Sequence, residues 1–259
     1  MRRLFIAASL ILGTLGAVAF GRAAFAENVT IPAAGGVPQL TGYLSRPRAP
    51  GPAPAVLVLH GCEGFGPLEN ATVDDLAAHG YVGLAIDVNK AAGVSSACAD
   101  VRRISVIGGA YGVAALAWLA SQPYVNPSQL GVMGFSMGGI EVLNIVDPFS
   151  PSPAPPGLRA AVAYYPACNS RPMSVAVPLL MLNGDGDDYV PYAPCQAFAA
   201  AAAAAGKTVQ ITTYPGATHA FNQPSNGPRH FQGHTFVYDQ KASADADAKT
   251  MAFFAQYLH

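Results

Sequence analysis

The chain has 259 residues, 51% of them hydrophobic and only 11% charged, with a formal net charge of −1. That much apolar surface suits one compact domain with a substantial core. No basic stripe or lysine-rich run is present, which argues against nucleic acid as a partner.

Arg2 and Arg3 precede an almost unbroken apolar run from Leu4 to Val18, and Ala24-Phe25-Ala26 puts small residues where a signal peptidase needs them. The pattern predicts a signal peptide cut after Ala26 and a periplasmic or secreted domain over residues 27–259. An uncleaved anchor is the alternative, but the run is short for a membrane span, so no stable insertion is expected after cleavage. The general and twin-arginine export routes both stay open.

Val29 to Ser45 reads as two short strands around Gly35-Gly36, and Ala55 to Leu59 as a buried strand running into His60-Gly61-Cys62-Glu63-Gly64. Residues 69–79 have helical character, Tyr81 to Ile86 is another buried strand, and a long apolar helix runs from about Arg103 to Ser121. Leu130 to Phe135 is a strand and Met137 to Val146 a helix. The proline-rich stretch 147–157 cannot be regular structure, because each proline removes a donor and blocks a helix. Strands resume at Leu158–Tyr164 and Val177–Leu182. The alanine-rich segment 197–205 is helical, Val209–Tyr214 is the last strand, and a final helix covers roughly Ser243 to Leu258. Alternating helices and continuously apolar strands define an α/β fold, a mostly parallel central sheet covered by helices on both faces.

Ser136 stands between Gly134 and Gly138, after one apolar strand and before a helix. A serine on so sharp a strand-to-helix turn needs tiny neighbours two residues to either side, and this is the pattern of a nucleophile elbow. A structural Gly-Ser turn is the plainer alternative. A general base is then required after an acid in chain order. His219 follows the strand Val209–Tyr214 in a loop at the sheet's carboxyl edge; His230 and His234 are rivals in a polar segment with no strand before them. The acid belongs after the preceding strand, where Asp185, Asp187 and Asp188 compete. Asp187 is preferred, being three residues past Gly184 and followed by Asp-Tyr-Val-Pro, while its neighbours suit solvated turn or capping positions. The oxyanion hole calls for backbone N–H groups, here those of Met137 and Cys62. Glu63 either fixes its loop or reaches the site, the loop role being favoured.

The four cysteines, Cys62, Cys98, Cys168 and Cys195, are even in number in a chain expected to be exported, which favours disulfides. Spacing alone does not choose among three pairings. There is no Cys-x-x-Cys or Cys/His zinc spacing, so no metal site and no cofactor is expected.

Taken together, Leu59-His60-Gly61-Cys62-Glu63-Gly64, Gly134-Phe-Ser136-Met-Gly138-Gly139, Tyr165-Pro166-Ala-Cys168, Asp187-Asp-Tyr-Val-Pro191 with Ala193-Pro-Cys195, and Tyr214-Pro-Gly-Ala-Thr-His219-Ala-Phe221 resemble the dienelactone hydrolase family of the α/β-hydrolase fold. The resemblance covers essentially residues 27–259. It implies an esterase or lactonase acting on small molecules, with Asp187 as acid and His219 as base. Ser136 replaces the cysteine of the founding branch and is similar to serine-type relatives. Gln223 stands four residues after His219, where the resemblance implies an arginine that grips a substrate carboxylate, and this points away from a dienelactone. The resemblance to exported relatives also implies a Cys168–Cys195 pair, leaving Cys62 with Cys98. A polyester or cutin-type hydrolase, an acyltransferase, and a non-catalytic binding protein on the same scaffold are the competing readings. Oligomeric state is not legible.

Overall fold

The computed structural model describes residues 25–152, 154–168, 174–224 and 227–259. The expected leader therefore lies outside the described residues except for Phe25 and Ala26, which open the first strand. In chain order the elements are β1 (Phe25–Ile31), β2 (Leu40–Arg46), β3 (Ala53–Leu59), α1 (Pro67–Ala78), β4 (Val82–Ile86), α2 (Val88–Ala91), α3 (Val101–Ala120) and β5 (Val125–Phe135). They continue with α4 (Met137–Val146), β6 (Leu158–Tyr164), β7 (Leu179–Gly184), α5 (Ala193–Ala204), β8 (Val209–Tyr214), β9 (Arg229–Phe231), β10 (His234–Phe236) and α6 (Gln240–Tyr257).

Eight strands form one sheet in the order β1-β2-β4-β3-β5-β6-β7-β8. β1 pairs antiparallel with β2, and β2 antiparallel with β4; every later pairing is parallel. The period-2 alternation of side chains divides the core between the two faces. Leu57, Leu59, Leu84 and Val132 pack on one face with Leu116 of α3 and Val142 of α4. Val56, Val58, Ala85 and Phe135 pack on the other with Leu76 of α1 and Phe254 of α6. A sheet buried on both sides needs apolar residues on both faces, which explains the continuous runs in β3, in β4 and, after the exposed Arg159, in β6. The mostly parallel sheet with helices on both faces is the α/β architecture expected.

Several boundaries differ, each for a local reason. α5 begins at Ala193 rather than 197, because Pro194 sits in its first turn, where the missing N–H costs nothing. α6 begins at Gln240 because the Asp239 carboxylate accepts the N–H groups of Lys241 and Ala242. β7 starts at Leu179, two residues later than expected. Val209–Tyr214 is not the last strand: β9 and β10 form a hairpin whose tip, Gln232-Gly233, has positive φ at both residues (50° and 86°), as a tight twisted turn demands. His230 and His234 lie in this hairpin. No regular element occurs between α4 and β6 among the described residues, in keeping with the prolines there.

Candidate active site

Four chain segments leave the carboxyl edge of the parallel sheet and converge, where a parallel α/β sheet offers its ligand crevice. They follow β3, β5, β7 and β8 and carry residues 60–64, Ser136, Asp187 and His219 respectively.

Ser136 has φ 53° and ψ −111°, a conformation that an L-residue adopts only under constraint. The constraint is close approach. A Cβ on Gly134 would lie 2.3 Å from the Gly138 carbonyl oxygen, and one on Gly138 would lie 2.2 Å from that of Leu59. The turn is further held by the Ser136 N–H donating to the Tyr164 carbonyl at 3.0 Å. α4 starts at the next residue, so the Met137 N–H is one of the unpaired donors of its first turn.

His219 joins the serine and the acid. Its Nε2 lies 2.8 Å from Ser136 Oγ and its Nδ1 lies 2.7 Å from Asp187 Oδ2. The other carboxylate oxygen of Asp187 accepts the N–H groups of Tyr189 at 3.1 Å and Val190 at 2.7 Å. With Oδ2 accepting from Nδ1–H, the imidazole presents the Nε2 lone pair to the serine hydroxyl. Asp187 and His219 are both buried, so water competes poorly for these bonds. The competing aspartates go elsewhere. Asp185 Oδ1 accepts the Gly216 N–H, and Asp188 lies 3.2 Å from His234 Nδ1 on the hairpin.

Aromatic rings fix the imidazole from three sides, with Tyr165, Tyr189 and Phe236 at centroid distances of 4.7, 5.1 and 5.4 Å. Tyr165 itself has φ 37° and donates its hydroxyl proton to Asn222 Oδ1 at 2.6 Å, burial holding that phenol well above its usual pKa. His60 is not part of the proton chain. Its Nδ1–H donates to the Gly61 carbonyl at 2.7 Å and its Nε2 accepts the Val88 N–H at 3.0 Å. Full burial lowers its pKa and keeps it neutral, so it ties the loop after β3 to the start of α2.

That loop is also tied by a disulfide, Cys62–Cys98, and Cys168–Cys195 joins the loop after β6 to the first turn of α5. Both bridges sit at the edge that carries Ser136, Asp187 and His219, and they are compatible with an extracytoplasmic protein. The Cys62 N–H has no backbone acceptor among the described residues. Among the same residues there is no group of His, Cys, Asp and Glu able to hold a metal ion.

Arg229 was not legible as a site residue. It arrives on β9, donating from Nη2 to Gln223 Oε1 at 2.7 Å and lying 3.3 Å (Nη1) from Glu63 Oε2. A guanidinium thus reaches the cleft, carried by the glutamine that stands where an arginine was expected. Glu63 meets Arg229 of the hairpin and stands in the lining of the cleft. On one side of Ser136 the space is nearly filled by Arg229, Phe231 and Phe236, leaving about 30 Å³. On the other, Val101, Ile140, Ala167 and Val190 surround a hollow of about 290 Å³.

This fold, with a serine, histidine and aspartate hydrogen-bonded in series at the carboxyl edge, defines a protein of the α/β-hydrolase class. Residues 40–258 match the profile of the dienelactone hydrolase family. The chain belongs to that family and is, with it, a carboxylic-ester hydrolase. A relative described as "Putative carboxymethylenebutenolidase" from Methylorubrum extorquens is 29% identical over 220 residues, covering 76% of this chain and 72% of the relative. Among solved structures, a dienelactone hydrolase-like promiscuous phosphotriesterase from metagenomic libraries superposes with a TM-score of 0.73 at 21% identity, over 92% of this chain and 100% of the other. A propionate-bound thermophilic esterase from Thermogutta terrifontis gives 0.69 at 17% identity, over 89% and 94% of the two chains. At these identities the two structures speak for the fold alone.

Proposed function

We propose that the protein cleaves small carboxylic esters or lactones through an acyl-enzyme, with Ser136 as nucleophile, His219 as general base and acid, and Asp187 as the orienting carboxylate. The observation that carries this is the unbroken hydrogen-bond series from Asp187 through His219 to Ser136 on a strained turn. His219 Nε2 takes the hydroxyl proton as Oγ adds to the carbonyl carbon, and Asp187 stabilises the imidazolium that forms. The N–H groups of Met137 and Cys62 receive the developing oxyanion. Collapse of the tetrahedral adduct breaks the ester C–O bond, and His219 returns the proton to the leaving alkoxide. Water then repeats the sequence on the acyl-serine; in a lactone the released alcohol stays attached to the acyl group until this second step.

The 290 Å³ hollow beside Ser136, walled by Val101, Ile140 and Val190, suits a short acyl group. The name of the Methylorubrum relative favours lactones among the substrates. Arg229 supplies a cation at the cleft, but Glu63 already balances it, so an acidic substrate is not required. The alanine-flanked leader and the two disulfides support export with cleavage after Ala26.

A fluorophosphonate probe and a panel of p-nitrophenyl esters and lactones test the reading. Labelling and turnover in the wild type, both abolished in Ser136→Ala, are expected. A folded wild type that neither labels nor turns over any ester would instead favour a binding protein on a hydrolase scaffold.

A further inference from the structure

A cavity lies off the proposed nucleophile, on the face of the sheet covered by α1 and α6, and measures about 700 Å³. That is within the roughly 300–1,000 Å³ of small-molecule sites. It meets the Ser136 cleft at Gly61, Glu63 and Gln223, which line both spaces. Its apolar walls come from Leu68 of α1, Met133 and Phe135 of β5, and Met251 of α6. Its charged walls carry one sign only: Glu63, Glu69, Asp75 and Asp247 line it, and no Lys, Arg or His does among the described residues.

We propose that this cavity is the subsite for the non-reacting part of the substrate, an apolar group that ends in a positively charged nitrogen. The inference rests on the reading of Ser136 as nucleophile and names the substrate class of that same site.

Glu69 is the deepest of the four acids, only 4% exposed. One of its oxygens accepts the Gly66 N–H at 2.8 Å, which fixes the carboxyl at the start of α1 and in the cavity wall. Burial without a nearby cation pushes it up to about 7. Asp247, across the cavity on α6, is also raised, again through burial, although the Tyr164 hydroxyl donates to it at 3.3 Å. Two carboxyls held above their usual range, on facing helices around an open volume, are short of positive charge. An ammonium group entering between them would lower both and recover part of their desolvation cost. A carboxylate would meet like charge in a partly desolvated space, and a plain alkyl end would leave the acids as they are. The apolar walls between the cleft and these acids would hold a hydrocarbon body. Arg229 does not oppose this, since its guanidinium lies against Glu63 and Gln223 at the cleft rather than in the cavity wall.

The test uses p-nitrophenyl esters of graded chain length in three matched series, ending in trimethylammonium, in the size-matched neutral tert-butyl group, or in carboxylate. At the best length and neutral pH the cationic ester should exceed the neutral one in kcat/KM by about tenfold and the anionic one by more. The cationic-to-neutral ratio, taken within each protein so that differences in folded fraction cancel, should fall toward unity in Glu69→Gln with Asp247→Asn. Asp247→Asn alone, on the outer part of the cavity, should show part of the fall. A wild-type ratio of unity or below, or a ratio that both substitutions leave intact, overturns the proposal while ester turnover keeps the hydrolase reading standing. Should no ester be turned over, calorimetric binding of hexyltrimethylammonium and of hexanoate to Ser136→Ala decides alone. Cation binding that the two substitutions abolish supports the subsite, and the absence of cation binding overturns it.

Discussion

Replacing Ser136 by glycine and by alanine separates the chemistry of this residue from the backbone strain it bears. Both substitutions delete Oγ and its 2.8 Å bond to His219, so both should abolish ester turnover. They differ at the backbone. With φ 53° and ψ −111°, position 136 is held in a region that costs a non-glycine residue on the order of 1–3 kcal/mol. Glycine escapes that cost but loses about 0.5–1 kcal/mol more conformational entropy on folding than alanine does. The difference leaves Ser136→Gly about 0.5–2 kcal/mol more stable than Ser136→Ala. For a domain of this size that is roughly 1–8 °C in Tm. Thermal unfolding of both variants by calorimetry, at one pH and protein concentration, measures it. If Ser136→Gly melts at or below Ser136→Ala, the turn stores no strain and the close approach at Gly134 and Gly138 has been misread.

Asp187→Asn should keep the fold, because an amide oxygen can still accept the Tyr189 and Val190 N–H groups, yet lower kcat on p-nitrophenyl acetate by about 10⁴-fold by favouring the wrong histidine tautomer. Glu141 on α4 is fully buried with both oxygens unpaired, and burial raises its pKa well above 4.5. A carboxyl whose folded pKa is raised contributes stability that is present below its unfolded pKa and is lost as pH rises toward the folded one. Glu141→Gln should therefore leave stability near pH 4 little changed and raise it progressively at neutral and alkaline pH, as denaturant midpoints taken across that range would reveal. Removing the Cys62–Cys98 bridge with paired alanines opens a loop with a sequence separation of 36. Chain entropy assigns this about 4 kcal/mol, read as a fall in the guanidinium midpoint that reductant does not deepen through this bridge. Turnover should fall as well, since Cys62 is a proposed oxyanion donor; unchanged kcat at a temperature where the variant is folded would remove that loop from the mechanism.

The central sheet was legible because burial on both faces leaves β3, β4 and the stretch of β6 after Arg159 continuously apolar, a pattern few other structures need. The elbow was legible because close approach at Gly134 and Gly138 admits only glycine. The hairpin was not. β9 and β10 are three residues each and carry Arg229, His230 and His234, so they offer neither an apolar run nor a clear alternation. Only the Gln232-Gly233 dipeptide hinted at a turn. Arg229 was hidden for a related reason: it meets Glu63 across a sequence separation of 166, and nothing local records such a contact. The sharp starts of α5 and α6 were recoverable in principle from Pro194 and Asp239, which are ordinary helix-start residues. Glu141 could not have been read as buried, because a charged residue in a ten-residue helix ordinarily marks its solvent face.

Glu141 and Ser136 together concentrate cost on one short helix. The strained Ser136 immediately precedes α4, and five positions after it the helix buries an acid that meets no hydrogen-bond partner among the described residues. That acid sits against Gly108 of α3, where a Cβ would lie 2.0 Å from Glu141 Oε1, so no larger residue at 108 could relieve it by packing. A helix carrying both features would shift if its surroundings were soft, and a shift would misplace Ser136 Oγ and the Met137 N–H at once. The surroundings are not soft. α4 packs on β5 and β6 and, through Glu141, Asn144 and Ile145, on Gly108, Gly109 and Gly112 of α3, and its fully buried Val142 and Val146 join the larger core cluster. The two disulfides brace the loops on either side of the serine, one through Cys62 and the other through Cys168. Stability supplied by the sheet and the bridges thus offsets a local cost at Ser136, the proposed nucleophile. On this account a substitution that loosens the α3–α4 contact, such as Ile145→Ala, should lower kcat more than its fall in Tm alone would suggest, because the strained turn relaxes before the domain unfolds.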